Sequence, residues 1–172
     1  IDSSTLMNKI LEIIEAQKLF GIPNDKIDIL IHPNSLVHAI IELKNGLVKF
    51  IYHETSMIIP LANAIFDGKL EIDTFYENTS RRSKNSLLKN LNFMAVNRSK
   101  FPIIKLKNRL VEYPSTPIII NASNEILVDQ FLQKKIGFLR IIKIIMTILD
   151  NRNYRKYAIK VPKNINQIKE ID

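Results

Sequence analysis

Ile1-Asp2-Ser3-Ser4-Thr5-Leu6-Met7-Asn8-Lys9-Ile10-Leu11-Glu12 opens the chain and sets the reading of everything after it. Asp2, Ser3, Ser4 and Thr5 each carry an oxygen that can accept from a free backbone N–H of a first helical turn. Glu12, Ile13, Ile14, Glu15, Ala16, Leu19 and Phe20 continue at helical spacing, so the stretch predicts one helix beginning near position 2. On that helix Asn8 and Glu12 lie one turn apart with Lys9 beside them. Hydroxyls, an amide and an ammonium at a helix start suit a phosphate. A carboxylate one turn further on suits a hard divalent cation. A capped surface helix with a Lys–Glu pair is the plainer alternative, and on spacing alone it is the commoner pattern.

Outward from this helix, Gly21-Ile22-Pro23-Asn24 reads as a stop and turn. Ile27–Ile31 predicts a short strand, and His32-Pro33-Asn34 a turn. Ser35–Leu43 and Leu47–Tyr52 predict a hairpin closed by Lys44-Asn45-Gly46. His53–Met57 reads as a polar loop and Ile58–Phe66 as a short helix ended by Asp67-Gly68. From 69 to 100 the pattern loosens. Asn78–Asn85 is polar and basic and reads as a solvated linker, with Leu87, Leu88, Leu91 and Phe93 as weak anchors. Phe101–Leu110, Asn121–Lys134 and Phe138–Leu149 predict helices, the second with Ile126, Leu127 and Phe131 on one side. Pro114 and Pro117 bracket a turn, Asn151–Pro162 reads as irregular, and Ile165–Ile171 begins a last short helix. The expected class is α+β: a small mixed or antiparallel sheet with helices, followed by an all-α bundle. The expected division is 1–68, a linker over 69–100, and a helical domain over 101–172.

The chain has 172 residues, a net charge of +8, 46% hydrophobic residues and no cysteine. That suits one domain or two small ones with a real core, and it excludes disulfides and thiolate metal sites. No apolar run reaches membrane-spanning length. The positive balance, with Arg81-Arg82-Ser83-Lys84, invites a nucleic-acid reading. No aromatic residues interleave with the basic ones and no binding motif appears, so that reading is the weakest of those considered. Richness in Ile, Asn and Lys is also what an AT-rich genome produces.

The opening twelve residues, with Ile14-Glu15-Ala16, resemble a signature of the 1-deoxy-D-xylulose 5-phosphate reductoisomerase family. Ile31-His32-Pro33-Asn34-Ser35-Leu36-Val37-His38 is similar to its second segment. Phe101-Pro102 with Lys105-Leu106 resembles its Phe-Pro-Cys-Leu-Lys-Leu stretch, and Asn121-Ala122-Ser123-Asn124-Glu125 its Asn-Ala-Ala-Asn-Glu motif. The segments follow in the family's order and cover most of the chain. Two departures stand out. Thr55-Ser56-Met57-Ile58 replaces Pro-Asp-Met-Arg, and Phe66-Asp67 falls where Trp-Pro is expected.

The resemblance implies conversion of 1-deoxy-D-xylulose 5-phosphate to 2-C-methyl-D-erythritol 4-phosphate, a rearrangement and an NADPH-dependent reduction in isoprenoid precursor synthesis that needs Mg²⁺, Mn²⁺ or Co²⁺. It implies that Ser3, Asn8 and Lys9 hold the substrate's phosphate and hydroxyl groups, and that Glu12 is one metal carboxylate in contact with substrate. It places Met57 near the nicotinamide and His38 behind the site as a supporting hydrogen-bonding group, with a purely structural histidine as the equal alternative. His32, beside a proline at a turn, is expected to be structural, and Asn121, Asn124 and Glu125 are expected to act as caps or helix contacts. The resemblance also implies a homodimer in the bacterial cytoplasm, or in a plastid or apicoplast. No Gly-rich dinucleotide loop occurs here, and the family's Asp-Ser-Glu carboxylates would lie upstream of Ile1. The expectation is therefore an internal fragment, cut at both ends and inactive alone. The alternative is a degenerate remnant that only oligomerises.

Overall fold

The computed structural model describes residues 1–69 and 91–172. Arg81–Lys84 and the Leu87-Leu88 anchors of the sequence reading lie outside them. The elements in order are α1 (Asp2–Thr5), α2 (Met7–Phe20), β1 (Leu30–Ile31), β2 (Val37–Glu42), β3 (Val48–Tyr52), α3 (Ile58–Phe66), β4 (Met94–Ala95), α4 (Leu106–Arg109), α5 (Thr116–Leu132), α6 (Phe138–Asp150), α7 (Tyr154–Ala158) and α8 (Ile165–Lys169). The α+β class holds, and both two-stranded sheets are antiparallel.

The chain groups into two compact units, residues 1–29 with 96–172, and residues 30–95. This differs from the expected cut at 68 followed by a linker over 69–100. In the first unit, α2 buries Met7, Ile10 and Ile13 in one core with Ile103 and Leu106, Ile120 of α5, and Ile141 and Ile145 of α6. Burying such side chains is worth roughly 1.5–3 kcal/mol each, which holds α2 with helices distant in sequence. In α6 the buried Ile141, Ile145 and Leu149 recur every four residues, the spacing of a single helical stripe. Pro117 does not bracket a turn; it stands in the first turn of α5, where its missing N–H costs no helical hydrogen bond. Ile126 is exposed on α5, and the inward face is made by Ile120, Asn124 and Leu127. The stretch expected to be irregular contains α7, which buries Tyr154 and Ala158 in the same core. The helix expected over Phe101–Leu110 is a 3-10 turn, Pro102–Lys105, running into α4. Asn164 caps α8 by accepting from the Gln167 N–H at 3.0 Å.

In the second unit, β2 and β3 form the expected hairpin, with Gly46 at φ 84 in the turn. Glycine adopts that left-handed conformation without a Cβ penalty. The ladder slips between Val37 and Ala39, so His38 sits at a β-bulge. The strand expected over Ile27–Ile31 is reduced to Leu30–Ile31, paired with Met94–Ala95. The end of the expected linker is thus a strand. α3 matches its expected span and ends in left-handed Asp67 and Gly68.

Candidate substrate-binding turn

The opening helix is not continuous. Leu6 adopts φ 65, ψ 14, and divides a single turn, α1, from α2. A left-handed conformation costs a non-glycine residue about 1–2 kcal/mol, so something must hold it. Thr5 does. It is buried, its hydroxyl donates to the Asp2 carbonyl at 3.1 Å, and the Met7 N–H donates back to that hydroxyl at 3.3 Å. The Lys9 and Ile10 N–H groups then find the Leu6 carbonyl at 3.1 and 3.4 Å. Of the four candidate caps, Thr5 is the one whose hydroxyl accepts from an α2 N–H; Asp2, Ser3 and Ser4 lie with it in α1. The threonine hydroxyl, rather than a terminal serine, satisfies the first N–H of the long helix.

The break brings four expected site residues into two pairs. Asn8 Nδ2 donates to Ser3 Oγ at 3.3 Å across the left-handed residue. Lys9 Nζ donates to both Glu12 oxygens at 2.9 and 2.8 Å, with the two side chains 42% and 50% exposed. Both pairs are open to solvent. They combine a hydroxyl, an amide, an ammonium and a carboxylate within the ten residues from Ser3 to Glu12. An incoming phosphate can take the donors of Asn8 and Lys9 in place of their present exposed acceptors, Ser3 Oγ and the Glu12 carboxylate, and can accept from the Ser3 hydroxyl as well.

As a metal ligand, Glu12 offers hard oxygens of the right kind. Among the described residues no group of three His, Asp or Glu side chains comes together to hold an ion. The turn therefore fits one ligand of a metal centre and does not make a centre by itself.

Asn124, expected to act as a cap or helix contact, makes a contact between helices. It occupies the inward face of α5 between Ile120 and Leu127 and is 3% exposed. Its Nδ2 donates to Asp2 Oδ1 at 3.2 Å, joining α5 to α1. Its Oδ1 is buried with no hydrogen-bond partner among the described residues, an arrangement that costs about 1–3 kcal/mol. The available signal was a polar residue in the middle of an apolar helical stripe. Asn121 makes a local contact instead, donating to Glu125 Oε1 at 2.7 Å.

Two expected residues belong to the other unit. Met57 precedes α3 and is 62% exposed, so it is not held as core packing. His38, on β2, stacks face to face on His53, with ring centroids 3.7 Å apart and planes 3° from parallel. His32 donates through Nδ1–H to the Asn92 carbonyl at 2.9 Å and lies 5.0 Å from the Phe93 ring, a packing role.

A second polar cluster stands in the helical unit. Arg109 donates to Glu112 at 2.7 Å, to Asp150 at 2.8 Å and to the Leu149 carbonyl at 2.7 Å. Burial pulls the guanidinium pKa down, yet hydrogen bonds to Asp150 and Glu112 outweigh it and hold the group above its ordinary value. Tyr154 shares a hydrogen bond with buried Thr116 and donates to Glu112 at 3.4 Å; burial raises its phenol pKa, and the Thr116 contact opposes that rise.

Residues 54–172 match the family model described as the DXP reductoisomerase C-terminal domain. The chain is 38% identical, over its whole length, to 43% of the 1-deoxy-D-xylulose 5-phosphate reductoisomerase of Pelagibacter ubique. It is 42% identical over 88% of its length to 40% of the Campylobacter jejuni protein of that name. Among solved structures it resembles the Zymomonas mobilis reductoisomerase in complex with NADPH, with a TM-score of 0.81 and 32% identity over 99% of this chain and 43% of that one. It also resembles a DOX-P reductoisomerase in complex with NADPH, fosmidomycin and magnesium, with a TM-score of 0.84 and 28% identity over 99% of this chain and 42% of that one. The chain thus spans about two fifths of the length of the curated relatives it matches.

Proposed function

Because this chain belongs to the 1-deoxy-D-xylulose 5-phosphate reductoisomerase family, we propose that it supplies the sugar-phosphate contacts and one metal carboxylate of an enzyme that rearranges and reduces 1-deoxy-D-xylulose 5-phosphate to 2-C-methyl-D-erythritol 4-phosphate. The observation that carries the reading is the pairing of Ser3 with Asn8 and of Lys9 with Glu12 around the Leu6 break. Ser3, Asn8 and Lys9 bind the phosphate and hydroxyl groups and fix the sugar's orientation. Glu12 would exchange its bond to Lys9 for one to a divalent ion, and the ion, when bound, would supply Lewis-acid polarisation of the substrate carbonyl. The same exchange frees the Lys9 ammonium for the anionic substrate.

Relatives in complex with NADPH and magnesium support NADPH as reductant and Mg²⁺ as the ion, and Mn²⁺ and Co²⁺ are accommodated by the same oxygen donor. The exposed Met57 packs on the nicotinamide, and His38, held against His53, orients the polar groups of its own unit. The working enzyme is a homodimer of the bacterial cytoplasm, active in isoprenoid precursor synthesis. Along the sequence, the residues assigned to the chemistry fall within 1–68, the helical part spans 101–172, and 69–100 lies between them. No helix among the described residues is long and apolar enough to cross a membrane. The segment alone neither turns over substrate nor binds metal tightly, since Glu12 is a single ligand.

The test is a turnover assay on the whole protein, wild type against Glu12→Gln, with 1-deoxy-D-xylulose 5-phosphate, NADPH and Mn²⁺. Activity that collapses in the variant supports the reading. A folded wild type without activity supports the non-catalytic remnant instead, and the missing Pro-Asp and Arg around Met57 become the first suspects.

A further inference from the structure

We propose that Asn124 is a positioning residue for substrate binding: from the buried face of α5 it holds Asp2, and through Asp2 the one-turn helix that presents Ser3 to the sugar phosphate. The inference rests on the reading of Ser3 and Asn8 as phosphate contacts.

Three observations carry it. First, the Asn124 amide stands in an apolar stripe between Ile120 and Leu127, where an aliphatic side chain would serve folding better. Second, the residue fills that place at a cost, because its Oδ1 is buried and unpartnered among the described residues. A polar group that the core does not need and does not fully satisfy is held there for its other contact. Third, that contact is with Asp2, 122 positions away, at the point where the substrate turn begins. α1 is too short to hold itself. Its geometry is set by Thr5 from within, through the bond to the Asp2 carbonyl, and by Asn124 from without, through the Asp2 carboxylate. Ser3 follows Asp2 directly, and its hydroxyl must stay within 3.3 Å of Asn8 for the two to meet one phosphate. Loss of the Asn124 donor frees the Asp2 side chain to water and lets α1 turn about Leu6, which moves Ser3 while leaving the α2 core in place.

The experiment compares the whole enzyme with Asn124→Ala, Asp2→Ala and the double variant, measuring calorimetric Kd for 1-deoxy-D-xylulose 5-phosphate, KM, kcat and Tm. The expected result is a sugar-phosphate Kd and KM about tenfold weaker in each single variant, with kcat within about twofold and Tm shifted by no more than a few degrees. The double variant is no weaker than either single one, because both cut the same link. An unchanged Kd accompanied by a large fall in Tm overturns the inference and leaves Asn124 a packing residue. Effects that multiply in the double variant also overturn it. If Asn124→Ala does not fold, Asp2→Ala decides alone, since Asp2 is only partly buried and its truncation leaves no core cavity; an unchanged Kd there refutes the link. A wild type that folds but does not bind the sugar phosphate fails before any variant is made, and that outcome removes the substrate reading and this inference together.

Discussion

The Lys9–Glu12 turn and the Arg109 cluster are made of the same parts, a cation with carboxylates and neighbouring hydroxyls, and both stand in the helical unit. They differ in what they connect and how firmly. Lys9 and Glu12 are three residues apart on one helix, about half-exposed, and each is the other's replaceable partner. Arg109 instead reaches 41 positions to Asp150 and 40 to the Leu149 carbonyl, with its side chain 22% exposed. Beside it, Glu112 meets Tyr154, which is tied to the fully buried Thr116. An exposed local pair adds little stability and can be exchanged for a ligand. The Arg109 cluster joins α4, α6 and α7 and resists exchange, because its guanidinium is largely buried and its contacts to the Leu149 carbonyl and Asp150 tie distant segments together. Residue types alone do not separate a binding site from a brace; exposure and sequence separation do.

The largest effect that would break this contrast is at Glu12. Glu12→Gln should lower kcat/KM of the whole enzyme by roughly 10³-fold or more, the several kcal/mol that a Lewis-acid metal supplies. Chemical denaturation should detect a stability change of under about 1 kcal/mol in the same variant. A large loss of stability would place Glu12 with Arg109 as a brace. The next effect is the converse one. Arg109→Ala should destabilise the fold by about 1–2 kcal/mol, chiefly because the part-buried Leu149 carbonyl loses its donor, with a smaller loss from the exposed pairs to Glu112 and Asp150. Its sugar-phosphate Kd should stay within about twofold of wild type. A weakened Kd at full stability would make the Arg109 cluster part of the site.

Tyr154 sharpens the comparison through pH. Its phenol pKa is raised in the folded state, so between the ordinary value near 10 and the higher folded value the native protein keeps a proton that the unfolded chain has lost. Stability from this group is therefore full below about pH 10 and declines as pH rises through the folded value. Tyr154→Phe should cost about 1 kcal/mol at neutral pH, from the lost contacts to Thr116 and Glu112, and should flatten the alkaline decline. Denaturation midpoints from pH 8 to 11 read both; a slope unchanged in the variant would assign the alkaline loss to other groups.

Much of this architecture was legible in the sequence, for reasons that can be named. α3 and α6 show apolar residues at helical spacing with clear stops, and the β2–β3 hairpin is announced by Asn45-Gly46 between two apolar runs. What escaped notice was set by distant or special contacts. The two-residue strand at Met94–Ala95 is too short for any periodicity and exists only through its pairing with Leu30–Ile31. α7 hides among Arg, Lys and Asn because only Tyr154 and Ala158 of its five residues turn inward. The break at Leu6 depends on the buried Thr5 hydroxyl, which a hydroxyl-rich helix start does not single out from its neighbours. In the candidate site, Ser3, Asn8, Lys9 and Glu12 were identifiable as residue types, and the Lys9–Glu12 pair follows from their spacing on one helix. The tie from Asn124 was not, because a motif dense in asparagine conceals which amide faces the core.

The smallest expected effect tests the replaceability on which the substrate reading depends. Lys9→Met keeps the apolar stem and helix propensity while removing the charge, so the core of α2 should not respond. The folding free energy should change by less than about 0.5 kcal/mol, because the pair is solvent-exposed and closed within one helix. Without its ammonium partner, Glu12 becomes freer to accept a cation, while the turn has lost a donor for the phosphate. In the whole enzyme, apparent Mg²⁺ affinity measured without substrate should rise modestly, and sugar-phosphate affinity should fall about tenfold. Opposite movements of the two affinities at constant stability would show that Lys9 and Glu12 exchange each other for ligands. A parallel fall in both, or a loss of stability comparable with Arg109→Ala, would show instead that the pair is a fixed part of the fold.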